Sequence, residues 1–177
     1  MDGRDKVILV DKDTDEMIGV EEKMKAHDKN TGRWHRAISV FIFNDSGETM
    51  LQQREKKKYH SGEKWSNTCC SHPMPGEDVI DSAHRRLKEE MGFDCEMQET
   101  FVFPYEADVG SGLREREYDH IIFGNYNGEP KPNPEEVQDW RWISLEDLDR
   151  EIRENPDNFT AWLRLMIGEV ISHYKGK

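Results

Sequence analysis

The chain has 177 residues with a formal net charge of −12, and it contains 34% hydrophobic and 35% charged residues. This length suits one domain with a sizeable core, and its five Trp, five Tyr and seven Phe argue against disorder over the whole chain. The acidic balance argues against nucleic acid as a partner, because nucleic-acid-binding proteins present basic patches.

The N-terminal part of the sequence predicts four strands. Val7–Val10 is a short apolar run, and Met17–Val20 can pair with it. Ala37–Phe43 is apolar on both faces, which indicates a central strand. Asn44–Gly47 is a hairpin turn signal, so Thr49–Arg54 is the predicted returning strand. The first apolar run is too short for a signal-peptide core or a membrane span, so we expect no membrane partner.

The middle of the sequence predicts one helix, roughly Asp78–Met91, after a loop over 55–66. Its buried stripe is predicted from apolar residues at every fourth position, which are Val79, Ala83, Leu87 and Met91. Gly92 lies where a C-terminal cap is expected.

The C-terminal part predicts three more strands and two helices. The strands are Glu99–Asp108, Glu117–Tyr126 and Trp140–Ile143, and the helices cover about 145–154 and 159–174. Strands, one helix, further strands and then helices indicate an α+β fold with helices flanking a sheet core. We expect a single domain over residues 1–177.

An acidic pattern opens the second of these C-terminal strands. Glu115, Glu117 and Asp119 are two residues apart, so they share one face of a strand. Carboxylates at the mouth of an apolar strand can hold a hard metal ion or transfer protons. The alternative is a solvated face that alternates in sign with Arg114 and Arg116, and from this segment alone that is the default.

The cysteines and histidines allow two kinds of site. Cys69, Cys70 and Cys95 form a poor disulfide framework, because their number is odd and two are adjacent. A reduced, cytoplasmic setting is therefore expected. Cys70 with His72 permits a metal site or an activated thiol, although a free Cys is more often a small buried hydrophobe.

The remaining histidines give weaker signals. His27 and His35 are eight residues apart and match no short metal motif, so surface histidines are the default there. His60, His84 and His173 are interpreted as surface or packing residues.

The central helix carries paired charges. Arg86 and Glu90 are one turn apart on one face, and Glu77 precedes Arg85 by about two turns. Such charges can form a surface ion-pair ladder. They can also form a metal–diphosphate site, with a carboxylate on the cation and a guanidinium on phosphate.

Together these features resemble type 1 isopentenyl-diphosphate Δ-isomerases over roughly Val7 to Tyr174. The most specific segments are Ser66–Pro73, Arg85–Gly92, Tyr105, Glu115–Glu117 and Trp162. The helix also resembles the Nudix superfamily, whose Glu-x7-Arg-Glu-hydrophobic-x-Glu-Glu-x-Gly pattern is approximated from Glu77 to Gly92. Two positions depart from the pattern of Nudix hydrolases: Arg86 replaces a Glu and Ser71 replaces a Gly.

The resemblance implies a Nudix-like mixed β-sheet core flanked by helices, and a role for each matching residue. The implied ligands of a divalent metal, Mn²⁺, Zn²⁺ or Mg²⁺, are His27, His35, His72, Glu115 and Glu117. Glu90 matches the ligand of a second ion, Mg²⁺, that also binds the diphosphate. The residues implied to bind the diphosphate are Lys23, Arg54, Lys58 and Arg86. Cys70 and Glu117 match the catalytic pair, and Tyr105 and Trp162 match aromatic residues of the pocket.

The implied reaction interconverts isopentenyl and dimethylallyl diphosphate for isoprenoid biosynthesis by a protein expected to be a monomer. An alkene takes up a proton to form a tertiary carbocation, and a neighbouring methylene then loses a proton. In one hypothesis Glu117, polarised by the metal and helped by Tyr105, delivers the first proton, and the Cys70 thiolate removes the second. The sequence leaves open which residue performs which step.

Two other functions stay open at this point. A Nudix-type diphosphate hydrolase shares the fold and the helix, but it has no need of Cys70 and prefers Glu at position 86. A non-catalytic metal- or nucleotide-binding module predicts metal affinity without turnover, and it gives no role to an acid–base pair.

Overall fold

A computed structural model describes residues 5–176, so residues 1–4 and 177 of the predicted domain lie outside the described residues. Within that range, nine strands form one mixed sheet. In chain order the strands are β1 (Lys6–Val10), β2 (Met17–Glu22), β3 (His35–Phe43), β4 (Glu48–Arg54), β5 (Trp65–Ser66), β6 (Cys69–Ser71), β7 (Met97–Gly110), β8 (Leu113–Asn125) and β9 (Val137–Ser144). The α-helices of the described chain are α1 (Lys23–Ala26), α2 (Val79–Met91), α3 (Leu145–Glu154) and α4 (Ala161–Lys175). The predicted α+β architecture is confirmed.

The hub of the sheet is β3, the strand predicted to be central. Along one edge it pairs in parallel with β8, from His35 opposite Glu117 to Phe43 opposite Asn125. Its other edge contacts β1, β6 and β4 in turn, with Ser39 opposite Cys70. The thiol and the acidic strand are therefore delivered from opposite edges of the same strand.

The predicted hairpin after β3 opens almost at once. Phe43 pairs with Thr49, and β4 then leaves β3 to pair along its length with β9. Thr68 bridges the gap, because its hydroxyl donates to the Met50 carbonyl at 2.6 Å and accepts from the Ile42 amide at 3.0 Å. This separation of β3 from β4 makes room for β6 and brings Cys70 into the sheet.

The predicted central helix is confirmed as α2, with ends that its sequence explains. The Asp78 side chain caps the N terminus by accepting from the Ile80 amide at 2.8 Å. Gly92 ends the helix in the left-handed region at φ 73°, and an added Cβ there would lie 2.2 Å from the Lys131 carbonyl oxygen. The helix packs Leu87 and Met91 into the core against β3, whereas Val79 is only half-buried.

A second core lies against α3 and α4. It packs Phe41, Phe123 and Leu163 together with Trp162 at the start of α4, which is 2% exposed. Ser144 caps the N terminus of α3, since its hydroxyl accepts from the Asp147 amide at 3.1 Å. Within residues 5–176, none of the helices has both the length and the apolar character needed to cross a lipid bilayer.

Candidate active site

A cavity of about 760 Å³ opens between the two cores. The residues implied by the resemblance that line it are Lys23, Arg54, Lys58, Cys70, His72, Arg86, Tyr105, Glu115, Glu117 and Trp162. His27, His35 and Glu90 are buried and are not part of the lining. Residues from four strands, three helices and two loops therefore line one cavity.

Three imidazoles surround one carboxylate oxygen. Glu117 Oε1 lies 2.9 Å from His72 Nε2, 3.4 Å from His35 Nε2 and 3.7 Å from His27 Nε2. The ligand atoms of these four residues all lie within 4.8 Å of one another. His27 and His35 are 0% exposed, so the default interpretation of both as surface residues is wrong: the α1 turn and β3 bury them against β8.

The hydrogen bonds of His27 and His35 orient them as metal ligands. His27 Nδ1 lies 2.8 Å from the Lys23 carbonyl, and His35 Nδ1 lies 2.8 Å from the Arg33 carbonyl. Because a carbonyl can only accept, each Nδ1 carries the hydrogen, and each Nε2 of the neutral ring presents a lone pair. Both Nε2 atoms are buried without a hydrogen-bond partner.

The second predicted carboxylate, Glu115, has a different neighbour. Its Oε1 lies 3.3 Å from His60 Nε2, and its Oε2 accepts from the Tyr105 hydroxyl at 2.8 Å. Tyr105 also contacts Glu117 Oε2 at 2.7 Å, so the phenol links the two carboxylates. His27, His60 and Glu115 form a second group of potential metal ligands.

His60 is the one residue of these two groups that sequence reasoning missed. The sequence predicts a surface or packing residue at this position, but His60 is 4% exposed and lines the cavity. Burial, with Arg54 next in importance, lowers the pKa of His60 to about 2. It follows a run of lysines in a predicted loop, so no periodicity or spacing in the sequence pointed to it.

The default interpretation of the acidic strand as a solvated face is also wrong. Glu115, Glu117 and Asp119 are 4%, 6% and 0% exposed, because β8 lies between β3 and β7 and turns this face inward. Arg114 and Arg116 lie on the opposite face, where both pair with Glu106.

Burial of three carboxylates has an electrostatic consequence. Burial and the charge of Glu117 raise the pKa of Glu115 and of Asp119 well above its usual range. For Glu117 burial acts in the same direction, but interactions with the neighbouring imidazoles, including the hydrogen bond with His72 Nε2, outweigh it and hold its pKa well below the usual range. The chain alone therefore favours one ionised carboxylate.

This donor set fits a divalent cation. The buried Nε2 atoms of His27, His35 and His60 lack hydrogen-bond partners, and such orphaned atoms are costly unless something binds them. Imidazole nitrogens mixed with carboxylate oxygens suit Zn²⁺ or Mn²⁺. Glu90 belongs to neither group, because its carboxylate accepts from Arg86 at 2.5 Å and from Gln52 at 2.8 Å.

The two adjacent cysteines have opposite environments because side chains alternate along β6. Cys69 is fully buried in the core beneath α2, whereas Cys70 lines the cavity. The Cys70 thiol donates to Asn67 Oδ1 at 2.9 Å and accepts from Trp162 Nε1 at 3.1 Å. Burial raises the pKa of Cys70 to about 12, which favours the protonated thiol over the thiolate.

Another part of the cavity wall, here called the basic end, carries four cations. Lys23, Arg54, Lys58 and Arg86 all line it, and burial lowers the pKa of both lysines. Acidic side chains pair with these cations: Glu136 contacts Lys58 and lies 3.6 Å from Arg86. The Arg54 guanidinium lies 5.2 Å from the centre of the Trp162 ring, a cation–π contact.

Comparisons with known proteins agree with this architecture. The NUDIX domain model matches residues 33–163. A crystal structure of a Deinococcus radiodurans protein superposes with a TM-score of 0.76 and covers 93% of this chain and 98% of its own, at 16% identity. That degree of similarity supports the fold alone, and the class is a Nudix-fold protein with a buried polar cavity.

Sequence relatives are more specific. An isopentenyl-diphosphate Delta-isomerase 2 of Aromatoleum aromaticum is 49% identical over 168 residues, which are 95% of this chain and 87% of that protein. An isopentenyl-diphosphate Delta-isomerase of Pectobacterium atrosepticum is 43% identical over 170 residues, or 96% and 93% of the two chains. The chain belongs to the isopentenyl-diphosphate Delta-isomerase family, as the resemblance predicted.

Proposed function

We propose that the protein interconverts isopentenyl diphosphate and dimethylallyl diphosphate and so supplies isoprenoid biosynthesis, with Cys70 and Glu117 as the acid–base pair. One observation carries the proposal: a thiol and a carboxylate from opposite edges of β3 line the same cavity. The names of the relatives support the reaction.

Moving the double bond requires one proton donor and one proton acceptor. The donor gives a proton to the terminal alkene carbon, and the charge develops on the tertiary carbon. The acceptor removes a proton from the methylene beside it, which forms the new double bond. The Cys70 thiol holds a proton and the Glu117 carboxylate is ionised, so the pair has complementary protonation states. Because the reaction is reversible, each residue serves as acid in one direction and as base in the other.

The His/Glu cluster would hold the divalent cation. When bound, the cation supplies positive charge that allows Glu115 and Glu117 to be ionised together. The Tyr105 hydroxyl, shared by the two carboxylates, fixes the orientation of Glu117 toward the substrate. A Mg²⁺ ion held through Glu90 requires that the Arg86 contact move from this carboxylate to the diphosphate.

The basic end would bind the diphosphate. Lys23, Lys58 and Arg86 are partly or largely desolvated, and desolvated cations bind phosphate oxygens strongly. This binding energy is remote from the reacting carbons and positions the alkene between thiol and carboxylate. Trp162 already accepts a cation on its ring, and its π face can stabilise the carbocation by about 0.5–2 kcal/mol.

Proton NMR of isopentenyl diphosphate incubated with the protein in D₂O with Mg²⁺ tests this function. The expected product is dimethylallyl diphosphate that carries deuterium in the methyl group formed from the terminal carbon. A substrate that stays unchanged while the protein is folded and metal-loaded would contradict the proposal. Release of phosphate from diphosphate compounds would favour the hydrolase alternative instead.

A further inference from the structure

One buried imidazole has no role in the acid–base chemistry. His60 lies in the loop between β4 and β5, and its Nε2 has no hydrogen-bond partner although it is only 3.3 Å from Glu115 Oε1. The two atoms are close, but their geometry is not that of a hydrogen bond. A ring nitrogen and a carboxylate oxygen that face each other without a hydrogen bond are arranged like two ligand atoms around a metal ion.

The His60 ring is held in place from several sides. Its edge packs against Trp162 at 5.7 Å and against Tyr59 at 4.3 Å between ring centres. Arg54 donates to its backbone carbonyl at 3.2 Å, which anchors the loop. The Ser61 hydroxyl lies 3.2 Å from Nδ1 and can accept its hydrogen, which leaves the Nε2 lone pair facing the cavity. These contacts orient the ring before any ligand arrives.

We propose that His60 is a further ligand of the divalent cation, and that it binds the cation together with Glu115 and His27. The proposal rests on the cation site of the proposed function and extends it. The two groups of ligand atoms share His27, and together they offer four imidazoles and two carboxylates. Six donors suit an octahedral ion, and four nitrogens favour Zn²⁺, Mn²⁺ or Co²⁺ over Mg²⁺, which prefers oxygen and keeps its waters.

The experiment counts coordinated imidazoles on the full chain. The protein is stripped with a chelator and reloaded with Mn²⁺ for pulsed electron paramagnetic resonance, or with Zn²⁺ for X-ray absorption. We expect four imidazoles in the wild type and three in His60→Ala, with at least about a tenfold loss of Zn²⁺ affinity. Mg²⁺ affinity should change less. A wild type with three coordinated imidazoles would overturn the proposal without any variant.

Two further variants separate ligation from support of the fold. His84→Ala removes a half-buried imidazole of α2 that pairs with Asp94 at 2.6 Å. It should leave the number of coordinated imidazoles and the Zn²⁺ affinity unchanged. His60→Gln keeps most of the side-chain volume and should also reduce the count to three. If affinity falls in the His60 variants while the count stays the same, His60 only positions Glu115 and the proposal is wrong.

Failure of this proposal is distinct from failure of the proposed function. Four imidazoles without isomerisation in the NMR experiment would overturn the function and support the assignment of His60. Isomerisation by a protein with three coordinated imidazoles would support the function and overturn the assignment of His60.

Discussion

The two ends of the cavity satisfy their buried polar groups in different ways. At the His/Glu end, three imidazole nitrogens lack partners and three carboxylates crowd together. At the basic end, two of the four cations already have counter-ions within the chain, because Arg86 pairs with Glu89 and Glu90, and Lys58 pairs with Glu136. The His/Glu end is therefore arranged to bind a cation. At the basic end, an anion must displace carboxylates that already pair with Lys58 and Arg86.

This contrast predicts how activity should divide between the ends. Changes at the His/Glu end and at the thiol should lower kcat, because those groups face the reacting carbons. Changes at the basic end should act mainly on KM, because there the diphosphate competes with internal counter-ions. A variant at the basic end that mainly lowers kcat, or a variant at the His/Glu end that mainly raises KM, would contradict this division.

The largest effect is expected for Cys70→Ala. Loss of one member of the acid–base pair should reduce kcat by about 10³-fold, within the usual range for such groups. Metal content and circular dichroism should match the wild type, since the side chain lies on the cavity wall and packs only at the edge of a core. Normal turnover in this variant would show that Cys70 has no catalytic role.

Cys69→Ala is the matched control, because it removes the same atom from the neighbouring residue of β6. Cys69 is fully buried under α2, so this change should lower the free energy of unfolding by about 1 kcal/mol and leave kcat within a factor of about two. Severe loss of kcat in folded Cys69→Ala would identify Cys69, and not Cys70, as the catalytic thiol.

Tyr105→Phe should have the next largest effect. It removes the hydroxyl shared by Glu115 and Glu117 and leaves the ring in place. We expect kcat to fall by about 10- to 100-fold, the equivalent of one or two buried hydrogen bonds to charged groups, while KM changes little. A large rise in KM with little change in kcat would place Tyr105 in diphosphate binding instead.

Glu136→Gln tests the basic end and should improve binding. Removing the carboxylate that pairs with Lys58 and lies near Arg86 frees Lys58, so KM should fall by about three- to tenfold, on the order of 1 kcal/mol for a partly exposed ion pair. Substitution of the exposed Glu129 by Gln serves as the control for net charge. If the KM of Glu136→Gln equals that of the wild type at every salt concentration, Glu136 does not compete with the diphosphate.

The smallest effect concerns only stability. Arg85 binds Glu77 through two hydrogen bonds of 2.6 and 2.7 Å. Burial raises the pKa of Glu77, but Arg85 and the Met74 amide outweigh burial and lower it below the model-compound value of 4.5. A lowered pKa in the folded state adds stability above the unfolded pKa, and that stability is lost as the pH falls through the folded pKa.

Glu77→Gln should therefore lower the free energy of unfolding by about 1 kcal/mol at pH 7, and the difference should shrink at acidic pH. Denaturant unfolding at several pH values measures this, with substitution of the exposed Glu96 by Gln as the control. A difference that persists unchanged at low pH would show that the pair acts through packing and not through charge.

Local patterns along the chain were enough to predict much of the fold. The apolar run of β3, the turn after it, and the fourfold spacing in α2 with its Gly92 cap each depend on neighbours in sequence, and all are confirmed. The limits of prediction appear where burial comes from distant elements. Val79 continues the apolar spacing, yet it is only half-buried because it packs at the margin of the core.

The strand and helix pattern, the family and a set of cavity residues that includes Cys70 could be predicted from the sequence, since these follow from spacing and from residues that match a motif. The burial of the acidic face and the entry of His60 and Glu136 into the cavity depend on the tertiary structure. Each of those outcomes depends on which edge of β3 a strand joins and on the path of a loop. Long-range pairing sets both, and no local pattern encodes it.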